Sequence, residues 1–286
     1  MRLDQLLAGT DLQFGRASGI EVSGLTLDSR KVTDGTLFVA IKGSVGHGMD
    51  YVDAAILAGA SAVIYDDWDG EIPKVIPALQ IPGLKHKVGH IAHAFYGNPC
   101  SAMQIVGVTG TNGKTTTVHL IAQLAEHLGI KAARIGTLGV SVGADKLIES
   151  DRTTPDAITL ASMFAELRSR DVSFVAMEVS SHALDQGRVD GIPFTVGVIT
   201  NLTRDHLDYH QTMEAYGAAK ARLFHDFVLR AAIFNTDDSF CRKLSETTAQ
   251  LNIVNYGSGA DHVDIQSIRP TDSGSNIRGS IHGVAY

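Results

Sequence analysis

Short apolar runs alternate with helical patterns along the first hundred residues. Residues 36–41 form an apolar, β-branched run after a turn, which predicts a buried strand. Residues 53–58 favour a helix, because Asp50 can cap its start and Gly59 can end it in a left-handed conformation. Residues 62–65 return to a strand pattern. Strand, helix and strand at this spacing indicate a parallel α/β unit.

A second α/β region follows the turn signal Gly97-Asn98-Pro99. This signal ends a predicted helix over residues 84–95, and we place a domain boundary there, between residues 1–99 and residues 100–286. The second region opens with a predicted strand over 104–108, followed by an amphipathic helix. Its other predicted elements are strands at 173–179, 195–200 and 231–234, and helices near 156–168 and 213–227.

The last part of the chain has a different pattern. From about residue 263 to residue 286, apolar and polar residues alternate as in β-strands, and the pattern stops without a capping element. Natural domains rarely end in the middle of such a pattern. We therefore expect the chain to be a fragment that ends inside its second domain.

Composition and charge exclude several classes of protein. With 44% hydrophobic and 19% charged residues among 286, the chain has an ordinary globular composition. A net charge of −7 disfavours the broad basic face of nucleic-acid-binding domains, so we expect no nucleic-acid partner. Two cysteines are too few for a disulfide scaffold, and the sequence shows no signal-peptide pattern and no apolar run of ~18 residues. We expect a cytoplasmic protein with no membrane partner.

A glycine-rich segment after the strand at 104–108 has the strongest chemical signal. Residues 109–116 read Thr-Gly-Thr-Asn-Gly-Lys-Thr-Thr. Glycines let backbone N–H groups converge on phosphate oxygens, and the N-terminus of a helix adds partial positive charge. Lys114 supplies a point charge for the β- and γ-phosphates, and Thr115 offers a hydroxyl to Mg²⁺. The predicted ATP site consists of Gly110, Thr111, Asn112, Gly113, Lys114, Thr115 and Thr116.

The segment departs from the general P-loop pattern at one position. That pattern has glycine five residues before Gly113, where this chain has Val108, and the glycine here is one step earlier, at Gly107. The alternative interpretation is a glycine-rich turn that binds no ligand. The Gly-Lys-Thr sequence between a strand and a helix favours the phosphate site.

Three further residues are candidates for a metal centre. Glu178 ends an apolar strand, where a carboxylate is unfavourable unless it is paired or bound to a metal such as Mg²⁺. Lys220 lies on the apolar face of its helix, where burial can lower its pKa and leave a neutral amine that reacts with CO₂ to form a carbamate. His206 follows the strand at 195–200. A frayed strand end, a snorkelling lysine and a surface or core histidine remain open alternatives.

Four motifs, in their order and spacing, resemble the Mur ligase family. They are residues 109–116, Glu178-Val179-Ser180-Ser181-His182, Asn201-Leu202-Thr203-Arg204-Asp205-His206-Leu207-Asp208 and Ala218-Ala219-Lys220. The resemblance implies ATP as co-substrate and two Mg²⁺ ions, the second held in part by a lysine with a CO₂-derived carbamate. It makes Thr115, Glu178, His206 and Lys220 the metal ligands, and Lys114, Glu178, His206 and Lys220 the catalytic set. It also places Asn235 against the ATP nucleoside.

Within that family, the first hundred residues are similar to the uridine-binding domain of the MurE-type members. The resemblance implies an α/β fold with a Rossmann-like N-terminal domain, an incomplete P-loop-type central ATPase domain and no C-terminal domain. It assigns uracil and diphosphate to Leu27, Ser29, Ser44, Val45 and Gly46, and the muramoyl dipeptide to Thr153, Thr154, Ser180, Gln186 and Arg188. Simpler interpretations stay open, namely an Asx turn at Asp28-Ser29, a helix cap at Thr154 and a surface position for Arg188.

The activity that the resemblance implies is an ATP-dependent amide ligation in peptidoglycan precursor synthesis. A diamino acid would be joined to the D-Glu carboxylate of UDP-N-acetylmuramoyl-L-Ala-D-Glu through an acyl phosphate. We expect meso-diaminopimelate rather than L-lysine as the diamino acid, and a monomeric protein. Two alternatives are kept: a ligase similar to folylpolyglutamate synthase, which would not need the uridine-binding domain, and an inactive fragment that binds nucleotide without turnover.

Overall fold

In the computed structural model, helices and strands alternate along most of the chain. The structure describes residues 1–9, 17–43, 46–148, 152–248, 252–272 and 274–286. The α-helices are α1 Leu3–Leu6, α2 Val52–Leu57, α3 Val88–Phe95, α4 Lys114–His127, α5 Ala157–Ser169, α6 Ser181–Asp185, α7 Leu207–His210, α8 Met213–His225 and α9 Ser239–Thr247. The strands are β1 Gly24–Thr26, β2 Thr36–Ala40, β3 Ala60–Tyr65, β4 Ala78–Gln80, β5 Gln104–Thr109, β6 Ala132–Gly136, β7 Gly139–Val142, β8 Asp145–Ile148, β9 Phe174–Glu178, β10 Val196–Ile199, β11 Ala231–Asn235, β12 Asn252–Gly257, β13 Val263–Thr271, β14 Gly274–Ile281 and β15 Val284–Ala285. Across these ranges, no helix has both the length and the apolar character needed to cross a membrane.

The chain divides into two compact units. Unit 1 comprises Met1–Pro99 together with Asp156–Glu166 and Gln186–Ile192. Unit 2 comprises Cys100–Pro155, Leu167–Asp185 and Pro193–Tyr286. The predicted single boundary after residue 99 does not include the two later segments that belong to unit 1. The first of them belongs to unit 1 because Ala157, Ile158 and Ala161, at the start of α5, join its hydrophobic core.

Unit 1 is built on a parallel sheet in the order β1-β2-β3-β4. All five residues of β2 are buried, as expected for a central strand with both faces covered. Leu37 and Val39 point into one apolar cluster together with α3 and the start of α5, whereas Phe38 and Ala40 point into a second cluster with α2. The strand period of two therefore separates two cores on opposite faces of the same sheet.

Unit 2 is built on a larger sheet in the order β15-β14-β13-β12-β11-β10-β5-β9-β6-β7-β8. The strands from β6 through β9, β5, β10, β11 and β12 to β13 pair in parallel, and antiparallel strands extend both edges. Helix α4 packs over the centre of the sheet, where Val118 and Ala122 meet Val106, Val108 and Ala176. This core holds α4 against β5, with residues 110–113 connecting the two elements.

The structure confirms the α/β class and differs from the predicted elements in places. The predicted helix over 84–95 is two elements: a 3₁₀ turn at Leu84–His86 and then α3, which begins at Val88. Gly83 precedes the turn in a left-handed conformation with φ of 66°, and Lys87, with φ of −105°, separates the turn from α3. Strands β6, β7 and β8 were not predicted, because they are short and are joined by tight turns such as the one before Gly139.

Candidate active site

The carboxyl ends of three neighbouring strands of unit 2 define the candidate site. Strand β5 lies between β9 and β10, with Val108 opposite Glu178 and Thr109 opposite Ile199. The chain that follows each strand therefore emerges at one edge of the sheet. Ligands of parallel α/β sheets bind at this edge.

The phosphate-loop segment has the backbone conformation that its glycines predict. Gly110 has φ of 137° and Gly113 has φ of 85°, and α4 begins at the next residue, Lys114. A Cβ atom on Gly110 would lie 1.9 Å from the side-chain oxygen of Thr200. Both glycines are therefore required, the first by a close approach as well as by its φ angle.

The residues after β10 hold this loop from the side. The Thr200 hydroxyl donates to the carbonyl of Asn112 at 2.7 Å, and the Asn112 N–H donates to Oδ1 of Asn201 at 3.0 Å. The Thr203 N–H donates to the hydroxyl of Thr111 at 3.0 Å. Because these bonds come from a different strand end, the loop shape is fixed by tertiary contacts as well as by its own sequence.

Lys114 is folded back onto its own loop. Its Nζ donates to the carbonyls of Gly110 at 3.0 Å and Thr111 at 2.9 Å. Burial lowers its pKa, and the charges of Glu178 and Asp205 oppose that shift. A lysine ammonium is also a common partner of phosphate oxygens in proteins.

Glu178 is 2% exposed, and its carboxylate is held by neutral donors. The Thr115 hydroxyl donates to Oε1 at 2.9 Å, and the Thr137 N–H donates to the same oxygen at 2.9 Å. The predicted metal ligands Thr115 and Glu178 are therefore in direct contact. Hydroxyl and carboxylate oxygens are hard donors of the kind that Mg²⁺ prefers, so this pair fits that ion.

Lys220 is 1% exposed and does not snorkel to solvent. Its Nζ donates to the carbonyl of Gly110 at 2.8 Å and lies 4.4 Å from the ring centre of Tyr216. Burial, followed by the nearby charge of Lys114, lowers the pKa of Lys220 to about 7. At that pKa a substantial fraction of the side chain is a neutral amine at neutral pH.

His206 lies on the same side of the sheet but is more open. Its side chain is 45% exposed, and its Nε2 is 3.5 Å from a carboxylate oxygen of Asp205. Its ring meets His182 edge-on at 4.8 Å and is 6.1 Å from the ring of Tyr216. In the described residues no hydrogen bond joins His206 to Glu178 or Lys220, so its place in the same metal site stays a prediction.

No metal site forms from acidic, histidine and cysteine side chains alone in the part of the chain that the structure describes. The predicted set differs from such a site, because it combines one carboxylate and one imidazole with a threonine hydroxyl and a modified lysine. Phosphate and water oxygens would complete the coordination of Mg²⁺.

Asn235 lies at the end of β11, beside the same sheet edge. Its Nδ2 donates to the carbonyl of Thr200 at 2.8 Å, and its Oδ1 accepts from the N–H of Asp237 at 3.1 Å. The side chain therefore joins β11 to the segment that holds the phosphate loop. A contact with a nucleoside stays a prediction.

The predicted dipeptide residues of unit 2 lie near Glu178 along a short chain of hydrogen bonds. The Thr154 hydroxyl donates to the carbonyl of Glu178 at 3.0 Å and accepts from the N–H of Ser180 at 3.1 Å. The Thr153 hydroxyl accepts from that of Thr137 at 3.1 Å. Thr154 does not cap α5; Asp156 does, by accepting from the N–H groups at the start of that helix. The helix-cap interpretation of Thr154 is therefore wrong.

Gln186 and Arg188 lie in a later segment of unit 1. The Arg188 Nε donates to Oε1 of Gln186 at 2.9 Å, and a second guanidinium nitrogen donates to the same oxygen. The segment is anchored by His86, whose Nδ1 is 2.8 Å from a carboxylate oxygen of Asp190. Arg188 is half-buried rather than a plain surface arginine.

The predicted uridine residues belong to the first part of unit 1. Leu27 packs against the core and Ser29 begins the 3₁₀ turn Ser29–Lys31. The Asp28 side chain accepts from the N–H of Arg30 at 3.0 Å. This hydrogen bond forms the Asx turn that was one of the interpretations of Asp28-Ser29. The N–H of Gly43 donates to the carbonyl of Gly46 at 2.8 Å, whereas Ser44 and Val45 lie outside the described residues.

Several residues near the site had weak or no sequence signals. A small cleft beside Thr115 and Glu178 is also lined by His119 and Arg134, and the Arg134 guanidinium donates to Nδ1 of His119 at 2.6 Å. Thr137 contributes a backbone N–H, which no side-chain pattern reveals. Pairing of β6 with β9 brings Thr137, which directly follows β6, to Glu178, and β6 was not predicted.

Comparison with known proteins relates both parts of the chain to one family. Residues 108–284 match the model of the Mur ligase middle domain, and residues 21–96 match that of the Mur ligase family, catalytic domain. The chain is 44% identical over 295 residues to the UDP-N-acetylmuramoyl-L-alanyl-D-glutamate–2,6-diaminopimelate ligase of Xanthomonas oryzae pv. oryzae (strain MAFF 311018), covering 99% of this chain and 58% of that protein.

Solved structures extend the comparison to the fold. A structure of UDP-N-acetylmuramoyl-L-alanyl-D-glutamate–2,6-diaminopimelate ligase matches with a TM-score of 0.83 and 30% identity, covering 100% of this chain and 58% of that one. A folylpolyglutamate synthase of Mycobacterium tuberculosis matches with a TM-score of 0.54 and 15% identity over 68% of this chain and 51% of that one, which shows a shared fold alone. The chain thus spans somewhat more than half the length of the ligases it matches. It belongs to the Mur ligase family.

Proposed function

We propose that this chain is the nucleotide-binding and uridine-binding part of a ligase that adds meso-diaminopimelate to UDP-N-acetylmuramoyl-L-Ala-D-Glu. The observation that supports this most directly is the contact between the Thr115 hydroxyl and Glu178, at 2.9 Å, beside a lysine-bearing phosphate loop. The names of the relatives support diaminopimelate over L-lysine. The folylpolyglutamate alternative is supported by a distant fold likeness only.

The proposed reaction has two steps. A carboxylate oxygen of the D-Glu residue attacks the γ-phosphorus of ATP, the bond to the β–γ bridging oxygen breaks, and ADP leaves. The amine of the diamino acid then attacks the acyl phosphate carbon, the bond to the phosphate oxygen breaks, and the nitrogen loses a proton. Two anions meet in the first step, so positive charge must be placed around them.

The residues of the loop edge would place that charge. Lys114 would turn from the Gly110 and Thr111 carbonyls to the β- and γ-phosphates, while the loop N–H groups and the start of α4 hold the phosphate oxygens. Thr115 and Glu178 would hold one Mg²⁺, and Glu178, His206 and a carbamylated Lys220 a second. These ions neutralise charge on the transferring phosphoryl group when bound.

Each unit would supply substrate contacts of its own. In unit 2, Thr153 and Ser180 are the proposed dipeptide contacts, and Asn235 the proposed nucleoside contact. In unit 1, Leu27, Ser29 and the loop ending at Gly46 would hold uridine and diphosphate. Arg188 would bind a carboxylate through its guanidinium. In this structure the guanidinium donates to Gln186 instead.

The experiment has two stages and uses the 286-residue chain itself. Isothermal titration calorimetry with Mg·ATP and with UDP measures whether each predicted nucleotide site binds. A coupled phosphate-release assay with ATP, the muramoyl dipeptide and diaminopimelate then measures turnover. We expect binding of both nucleotides, and a chain that binds neither would rule out the proposal.

A second candidate function is nucleotide binding without turnover. The observation that favours it for this chain alone is its span of 58% of the related ligase. Binding of Mg·ATP and UDP with no phosphate release would support it, whereas release that needs both the dipeptide and diaminopimelate would reject it. In the active case Lys220→Ala should abolish ligation, and added bicarbonate should not restore it.

A further inference from the structure

Tyr216 is a buried aromatic residue between the phosphate loop and Lys220. It lies in the first turn of α8, is 1% exposed, and is among the largest fully buried side chains in the described residues. A tyrosine that is buried this completely needs a partner for its hydroxyl. Here that partner is Thr111 of the phosphate loop, at 3.2 Å.

The hydrogen-bond inventory of Thr111 shows which way this bond runs. A threonine hydroxyl has one proton to donate and two lone pairs that accept. The Thr111 hydroxyl donates to the Thr203 carbonyl at 3.1 Å and accepts from the Thr203 N–H at 3.0 Å. Its remaining capacity is one acceptor position, so the Tyr216 hydroxyl is the donor. Together the three bonds use the full capacity of this hydroxyl.

The ring of Tyr216 is fixed on its other sides. Lys220, one turn later on α8, places its Nζ 4.4 Å from the ring centre. The ring of His210 packs against it at 5.2 Å, and His210 is itself held by a contact of 3.0 Å between its Nε2 and the Ser181 hydroxyl. These contacts hold the Tyr216 ring in place. Its hydroxyl is therefore kept within hydrogen-bond distance of Thr111.

We propose that Tyr216 is a positioning residue that holds Thr111, and through it the phosphate loop, in the shape that receives the phosphates of ATP. The proposal rests on the proposed function, because it assumes that the loop binds ATP. Tyr216 would act through Thr111 and would not touch the phosphates itself. Thr111 and Asn112 are the loop residues whose N–H groups and carbonyls it helps to place, together with the segment 200–203.

The competing explanation is that Tyr216 only fills space in the core. A space-filling ring would work equally well as phenylalanine, since the volume and the face toward Lys220 are unchanged. A positioning hydroxyl would not, because Tyr216→Phe leaves one acceptor position of the Thr111 hydroxyl empty in a site that is partly closed to water. The two explanations therefore differ in whether the hydroxyl oxygen of Tyr216 affects ATP binding.

The test is Mg·ATP affinity of the full 286-residue chain, measured by calorimetry for wild type, Tyr216→Phe, Thr111→Val and the double variant. We expect Tyr216→Phe to weaken binding about three- to tenfold. The double variant should be weakened by clearly less than the product of the two single effects, because both substitutions remove the same bond. Thr111→Ser keeps the hydroxyl and should restore most of the affinity that Thr111→Val loses.

Controls separate this proposal from the proposed function. Tyr209→Phe removes a hydroxyl that donates to Asp185 at 2.6 Å rather than to the loop, and should leave the affinity unchanged. Melting temperatures detect loss of folding, and UDP affinity should not change in any variant. If Lys114→Ala abolishes Mg·ATP binding but Tyr216→Phe binds as wild type, or if the effects in the cycle simply multiply, Tyr216 is a core residue. If Lys114→Ala also binds as wild type, the ATP site itself is wrong.

Discussion

The phosphate-loop edge of unit 2 and the proposed uridine region of unit 1 both follow strands of parallel sheets, but they offer different chemistry. At the first, Lys114, Glu178 and Lys220 bring charged or titratable side chains to one place. At the second, the described residues offer mainly a leucine, a serine and the backbone around Gly46. Single substitutions should therefore have large effects on ATP binding and small effects on UDP binding.

The largest effect is expected for Lys114→Ala. Removal of the ammonium takes away charge-assisted contacts with two phosphates, each contributing roughly 1.5–3 kcal/mol, so Mg·ATP binding should weaken by about 3–6 kcal/mol. Calorimetry with Mg·ATP measures this, and UDP binding to the same variant should be unchanged.

The matched control for that variant is Lys131→Ala, which removes an exposed lysine that follows the C-terminal end of α4. Its Mg·ATP affinity should equal that of wild type. Equal losses in both variants would mean that overall charge, rather than the position of Lys114, determines binding. A loss of UDP affinity in Lys114→Ala would contradict the independence of the two nucleotide sites.

The next largest effect is a loss of the folding stability of unit 1 at low pH, caused by His93. His93 is 4% exposed, and burial, followed by the charge of His90, lowers its pKa from 6.5 to about 4. Above pH 6.5 the imidazole is neutral in both folded and unfolded chains, and pH has no effect through it. Between pH 6.5 and 4 the unfolded chain binds the proton and the folded chain does not, so stability falls as pH falls, by about 3 kcal/mol at pH 4.

This pH dependence can be measured with the single tryptophan, Trp68, whose fluorescence reports on unit 1. His93→Gln should flatten the fall in the free energy of unfolding between pH 6.5 and 4. His90→Gln removes an exposed histidine of the same helix and should keep most of the slope. An unchanged slope in His93→Gln would show that other groups cause the acid sensitivity.

A smaller effect, again at the phosphate-loop edge, is expected for Glu178→Gln. The amide keeps the size of the carboxylate and an oxygen that can accept from Thr115 and Thr137, but it removes the charge that would attract Mg²⁺. We expect the affinity for Mg²⁺ in the presence of ATP to fall by at least about 10-fold, or roughly 1.4 kcal/mol, because loss of a direct ligand costs at least as much as loss of a residue that supports one. Metal titrations monitored by ATP binding measure this, and an unchanged Mg²⁺ requirement would remove Glu178 from the metal site.

Sequence reasoning succeeded where one local pattern determines the structure. Gly110 and Gly113 in front of Lys114 predict the loop, and the apolar run before Glu178 predicts its strand. It failed where distant segments decide. The Thr137 N–H reaches Glu178 only because β6 pairs with β9, and Thr154 is drawn away from a helix cap by Glu178 and Ser180. Such contacts depend on the order of the strands in the sheet, which cannot be predicted from the sequence pattern of one strand or helix alone.

The smallest effect is expected for Arg30→Gln beside the proposed uridine residues. The Arg30 guanidinium, through its side-chain hydrogen bond, lowers the pKa of Asp28 to about 2. Since the Arg30 side chain is 87% exposed, water screens the pair, and its loss should change stability little. The backbone bond from the N–H of residue 30 to Asp28 survives the substitution, so the turn that presents Ser29 should persist. UDP affinity should therefore change less than about twofold, within what loss of one exposed ion pair allows. A tenfold loss would mean that Arg30 itself contacts the diphosphate, and the uridine region would then depend on charge as the phosphate-loop edge does.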